Sequence, residues 1–162
     1  MNSEPFGYLI TFRTYGTWLH GDSRGSVDSD HRAYGTNLLP PNRAWEREAA
    51  RKLDGKPVTL NTAGRVVVER TVAEVCAAKE WTLHAVHART NHVHVVASAP
   101  EPPERLLNTL KSWCTRRLRE SDCPVGVKRI WSRHGSTQYL WNDQALREAC
   151  RYAMESQGEA LL

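Results

Sequence analysis

The 162 residues, 40% of them hydrophobic and 25% charged, suffice for one domain with a sizeable core and hardly for two. No run approaches the roughly 20 apolar residues of a membrane span, and the opening MNSEPFGYLI lacks the pattern of a secretory signal. Cys76, Cys114, Cys123 and Cys150 show no CxxC spacing, which speaks against a zinc ribbon or a disulfide scaffold and for free thiols in a reducing cytosol.

In chain order, GYLITFRTYG reads as a first strand with Tyr8, Ile10 and Phe12 on one face and Leu9 and Thr11 on the other. A long Gly-, Ser-, Asp- and Asn-rich loop or insertion follows over about 16–60. Within it Asn42 can cap a short helix to Leu53, with Trp45, Ala49 and Leu53 on one stripe. A second helix is expected over about 63–79, carrying Val68, Val72, Val75 and Cys76, although the β-branched run Val66-Val67-Val68 weakens its start. WTLHAVHA and HVHVVASA, separated by Arg89-Thr90-Asn91, read as a β-hairpin.

Pro102 and Pro103 suit the first turn of a helix to about Glu120, with Leu106, Leu107, Leu110, Cys114 and Leu118 inward and Asn108, Lys111, Thr115 and Arg119 outward. A strand is expected within IWSRHGSTQYLW, and a last helix, capped by Asn142 or Asp143, runs to about Gln157. The order implies a single α+β domain over 1–162: a ferredoxin-like antiparallel sheet with helices on one face, plus a C-terminal helix.

The net charge of +4 is modest but unevenly placed. Between Pro102 and Arg133 stand eight basic residues (Arg105, Lys111, Arg116, Arg117, Arg119, Lys128, Arg129 and Arg133) against three acidic ones, a net +5. With Trp113 and Trp131 interleaved, the segment suits a nucleic-acid backbone with bases stacking on rings, or else a solvated helix face.

His92-Val93-His94 opens a strand, so both imidazoles share one side and form half of a shell for a divalent cation. Seven histidines in this length make such a triplet weak by itself, and its place after a tight polar turn strengthens it. Tyr152 lies at the edge of the stripe Leu146, Ala149, Cys150 and Ala153, a turn before Glu155, Ser156 and Gln157, whose oxygens suit a hard cation. Taken alone, a helical tyrosine is more commonly an edge-of-core packer. His84 and His87 have opposite parity, so at most one faces the histidine pair, and His84 reads as a packed or hydrogen-bonded partner. His134 reads as a loop histidine, and Tyr139, beside Leu140 and Trp141 in a strand, is the alternative nucleophile to Tyr152.

The segments Asn91-His92-Val93-His94-Val95-Val96, Lys111-Ser112-Trp113 with Thr115-Arg116-Arg117-Leu118, and Arg151-Tyr152-Ala153-Met154-Glu155 resemble the HUH single-strand DNA nucleases. The likeness is to the single-tyrosine transposases of insertion sequences and to the REP-associated tyrosine transposases. It covers most of the chain except roughly His20 to Gly64. It implies that His92 and His94 bind Mg²⁺ or Mn²⁺ and that Tyr152 is the nucleophile. Insertion-sequence enzymes usually place a Gln four residues after the tyrosine, and REP-associated ones an Asn. Here that position is Ser156, which leaves Gln157 or Glu155 as third ligand.

The resemblance further implies cleavage at hairpin-associated sites of single-stranded DNA through a 5′-phosphotyrosine, with strand transfer. It points to backbone contacts from Lys111, Arg116 and Arg117, with Arg105 and Arg133 in the same basic segment. The loop adds DNA contacts from Arg13, Trp18, His20 and Arg24, or is a structural flap. A cytoplasmic, nucleoid-associated protein without a membrane partner is expected, and relatives include both monomers and homodimers. Two other readings stay open: a non-catalytic hairpin-binding module of the same fold, and a metal phosphohydrolase using activated water.

Overall fold

The computed structural model describes residues 3–17, 41–52, 56–126 and 128–155. Four strands, β1 (Gly7–Arg13), β2 (Thr82–Ala88), β3 (His92–Ser98) and β4 (Ser136–Leu140), form one antiparallel sheet in the order β2-β3-β1-β4. The four helices are α1 (Arg43–Arg51), α2 (Thr62–Ala78), α3 (Pro103–Glu120) and α4 (Asp143–Glu155). This is the α+β, ferredoxin-like arrangement expected from the element order.

Alternation along the strands divides the sheet into two faces. Tyr8, Ile10 and Phe12 of β1, with Val93, Val95 and Ala97 of β3, join Val68, Val72, Val75 and Cys76 of α2 and Leu106, Leu107, Leu110, Cys114 and Leu118 of α3 in the main core. Full burial of one such side chain contributes about 1.5–3 kcal/mol, so this layer holds the domain together. The opposite face carries Leu9, Val96 and Leu140, which pack on Ala149 and Ala153 of α4.

Local signals start and stop the helices as the sequence indicates. Asn42 Oδ1 accepts from the Trp45 amide and Asn61 Oδ1 from the Gly64 amide. Pro103 opens α3, and Asn142, the cap chosen over Asp143, accepts from the Ala145 amide. The run Val66-Val67-Val68 does not delay α2, because the Asn61 cap and the burial of Val68 and Val72 outweigh a small propensity cost.

α1 departs from expectation: none of its residues is buried and Trp45 is exposed, so the Trp45–Ala49 stripe does not enter the core. The expected third stripe residue, Leu53, and much of the loop predicted over 16–60, including Trp18, His20 and Arg24, lie outside the described residues.

A β-bulge interrupts β2 between Leu83, opposite Ala97, and Ala85, opposite Val96. Beyond it His87 stands opposite His94. β2 is an edge strand, and its last peptide is protected from the side of α2: the Ala88 amide donates to Glu69 Oε1, and Arg65 Nε donates to the Ala88 carbonyl.

Candidate functional site

The face beneath α4 is apolar only over part of its length. The register Ser136–Thr11–His94–His87 runs straight across all four strands, and the next rung pairs Arg13 with His92. Directly paired residues share a face, so these six polar residues line one end of the face that Leu9, Val96 and Leu140 begin. α4 lies over the apolar part and delivers Tyr152 to the polar end.

His92 and His94 are both buried, with ring centroids 4.9 Å apart and planes at 76°. Tyr152 joins them: its ring centroid lies 5.3 Å from that of His94, at 67°. Each imidazole is oriented through Nδ1. His92 Nδ1 donates to Asn91 Oδ1 at 2.7 Å, and His94 Nδ1 shares a 2.7 Å hydrogen bond with Thr11 Oγ1. An imidazole that donates through Nδ1, as His92 does, carries its lone pair on Nε2, where it can bind a cation, and His94 reaches the same state when its Nδ1 donates to Thr11. The donor set therefore fits two ligands to a divalent metal. Glu155 is exposed at the last residue of α4, Gln157 lies outside the described residues, and no three His, Cys, Asp or Glu among the described residues are grouped to hold a metal.

Arg13 enters here rather than through the loop. Its position opposite His92 places a guanidinium-bearing side chain on the histidine face, where a phosphate would find a charge-assisted donor. Thr11, Asn91, Ser136 and His87 also border this end and were not singled out from sequence as site residues. Thr11 continues the parity of Leu9 onto this face, as does Arg13, the DNA-contact candidate read from the sequence. The backbone closes in from β4 as well: a Cβ on Gly135 would stand 2.6 Å from the Thr11 carbonyl, so only glycine allows this approach.

The remaining candidates fall elsewhere. Tyr139 pairs with Tyr8 and makes an edge contact with it at 5.2 Å, on the face opposite the histidines. His84 sits at the bulge, where its Nε2 bonds Ser98 Oγ at 2.7 Å, and His134 lies in the loop before β4 with φ of 65°. Lys111, expected to point outward, is half-buried. Its Nζ donates to the Ser132 carbonyl at 2.9 Å and to the His134 carbonyl, stapling α3 to that loop. Burial, and secondarily Arg129, lower its pKa to about 8. Trp131 is buried against Phe12, with its Nε1 donating to Thr115, so it is a core residue and no stacking platform.

Trp113 stays exposed, with the Arg116 guanidinium 4.9 Å from its ring centroid. Arg117 pairs with Glu74 at 3.2 Å, Arg105 approaches Glu101 at 3.9 Å, and Arg133 is exposed. An open groove of about 740 Å³ borders the histidine turn, lined by Thr17, Asn61, Thr62, Arg65, Thr90 and Asn91 among others.

An oriented imidazole pair beside a phenol, at the open end of an antiparallel sheet, is a constellation suited to phosphoryl transfer. The family model for IS200-like transposases matches residues 56–145, just over half of the chain, and includes both histidines while stopping short of Tyr152. The chain belongs to the IS200-like transposase family, the single-tyrosine group its motifs resemble. No curated protein matches it. A solved structure of a REP-associated tyrosine transposase bound to a REP hairpin is similar in fold, with a TM-score of 0.52 at 12% identity over 94% of this chain and 67% of that one. No helix among the described residues is long and apolar enough to cross a membrane.

Proposed function

We propose that the protein cleaves and rejoins single-stranded DNA at hairpin-associated sites, with Tyr152 as nucleophile. The observation that carries this reading is the convergence of Tyr152 with His94 and His92, which lie 58 and 60 residues before it in sequence, at one polar sheet end. The family and the hairpin bound to the structural neighbour support DNA as the substrate. Tyr152 Oη attacks the scissile phosphorus, the bond to the 3′ oxygen breaks, and a 5′-phosphotyrosine and a 3′-hydroxyl result. One phosphodiester replaces another, so the step is reversible, and attack by a second 3′-hydroxyl transfers the strand. Mg²⁺ or Mn²⁺ held by His92 and His94, with Glu155 or Gln157 as third ligand, would withdraw charge from the phosphate. Arg13 would hold a non-bridging oxygen, and the groove beside Asn91 would give the strand room next to the histidines. Arg116, beside Trp113, and Arg133 would contact the backbone of the hairpin.

Incubation with a pool of single-stranded hairpin oligonucleotides and Mn²⁺, resolved under denaturing conditions, tests the reading. A protein–DNA adduct lost both in Tyr152→Phe and in EDTA is expected. An adduct that persists in Tyr152→Phe would defeat the assignment of the nucleophile. Cleavage without an adduct would favour hydrolysis by activated water, and hairpin binding without cleavage a pure binding module.

A further inference from the structure

The mechanism above leaves one buried contact unused. Ala153, in the last turn of α4, is 0% exposed, so its carbonyl is shut away from water. His87 supplies the donor: its Nδ1 lies 3.1 Å from the Ala153 oxygen, and a carbonyl only accepts, so Nδ1 carries the proton. Ala153 directly follows Tyr152, and His87 reaches it from the sheet position opposite His94. One imidazole thus links the turn bearing the phenol to the rung bearing the histidine beside it.

We propose that His87 is a positioning residue for the reaction, holding the last turn of α4 on the sheet so that Tyr152 stays at the histidine pair. The inference rests on the reading of Tyr152 as nucleophile. Nothing asks His87 to touch the DNA or a metal. Its action runs through one hydrogen bond, from Nδ1, and a phenol displaced by an ångström is enough to slow an in-line attack strongly.

The two nitrogens of the ring can be separated by substitution. In His87→Asn the side-chain amide nitrogen takes the place of Nδ1, whereas in His87→Gln it reaches the place of Nε2. With a hairpin oligonucleotide that forms an adduct with the unaltered protein, His87→Ala and His87→Gln are expected to slow adduct formation about 10-fold or more. His87→Asn is expected to stay within about threefold, and hairpin Kd to stay within about twofold in all three. Amide hydrogen exchange in the peptide spanning the end of α4 should accelerate in the Ala and Gln variants only, with β3 and α3 as internal references for a folded domain.

Unchanged rate and exchange in His87→Ala would overturn the proposal, and so would rescue by Gln but not by Asn. If the unaltered protein forms no adduct, or Tyr152→Phe still forms one, the nucleophile reading fails. The exchange pattern then still decides whether His87 tethers α4.

Discussion

On β3, Val93, Val95 and Ala97 enter the layer beneath α2 and α3, while His92, His94 and Val96 enter the layer beneath α4, and of these three only Val96 meets an apolar cluster. The same backbone therefore serves two purposes through alternate residues. One face is closed by two long helices of 17 and 18 residues, and the other is half closed by a helix of 13. Beneath it lies a rung of polar side chains held by hydrogen bonds to neighbours such as Thr11 and Asn91 and by ring contacts with Tyr152. Stability and chemistry are separable here because they sit on opposite sides of one sheet.

Substitutions on the two faces should break along that line. His94→Ala is expected to lower the rate of adduct formation per folded molecule about 10²–10³-fold, together with a stability cost of about 1–3 kcal/mol for the lost buried hydrogen bond to Thr11. Ile10→Ala, on the other face, should cost about 2–5 kcal/mol of stability with an unchanged adduct rate per folded molecule. If Ile10→Ala impaired the reaction as much as His94→Ala, the two faces would not be independent.

A smaller effect tests whether orientation matters on the polar face. Thr11→Val keeps the shape of the side chain and removes the partner of His94 Nδ1. Mn²⁺ titration followed by electron spin resonance should show affinity weakened about 10–100-fold, with the fold intact. Gly135→Ala should lower stability by about 1–3 kcal/mol, because its Cβ would press on the Thr11 carbonyl rather than on a flexible side chain. The loss is expected in thermal melts and, since Thr11 moves with its backbone, in the adduct rate as well.

The smallest effect belongs to the closed face. Burial pushes the Cys76 thiol from 9.0 up to about 11 and the Cys114 thiol up to about 12. In the unfolded chain these thiols ionise first, so stability is intact below pH 9 and declines as pH rises from 9 towards 11. Urea midpoints at pH 8 and pH 10 should therefore differ, and Cys76→Ala should flatten the difference.

Much of this arrangement could be read from the chain. The stripe Leu106, Leu107, Leu110, Cys114, Leu118 encodes one buried face, and the alternation of GYLITFR separates Tyr8, Ile10 and Phe12, in the main core, from Leu9, beneath α4. Trp45 and Ala49 show the limit of such patterns, since a local period says which residues share a side and nothing about whether that side is buried. Lys111 was placed outward by the same period. Its long stem instead carries the ammonium back to two loop carbonyls, a contact set by the fold of residues 132–134. The histidine pair and Tyr152 were legible as candidates, but their meeting depends on how α4 crosses the sheet. His87 was hidden because parity counted along β2 without its bulge cannot say which histidine turns inward.

That bulge makes the length of β2 a counting device. Had the ladder run on without it, Val86 would stand opposite His94 and His87 opposite Val93, an imidazole driven into the closed core and a valine set beside the phenol. One inserted residue thus sets the phase of everything after it. Deletion of His84, the residue taken up by the bulge, would close the ladder with Ala85, Val86 and His87 still opposite Val96, Val95 and His94, whereas a residue added or removed between Ala85 and His87 would carry the imidazole off its rung.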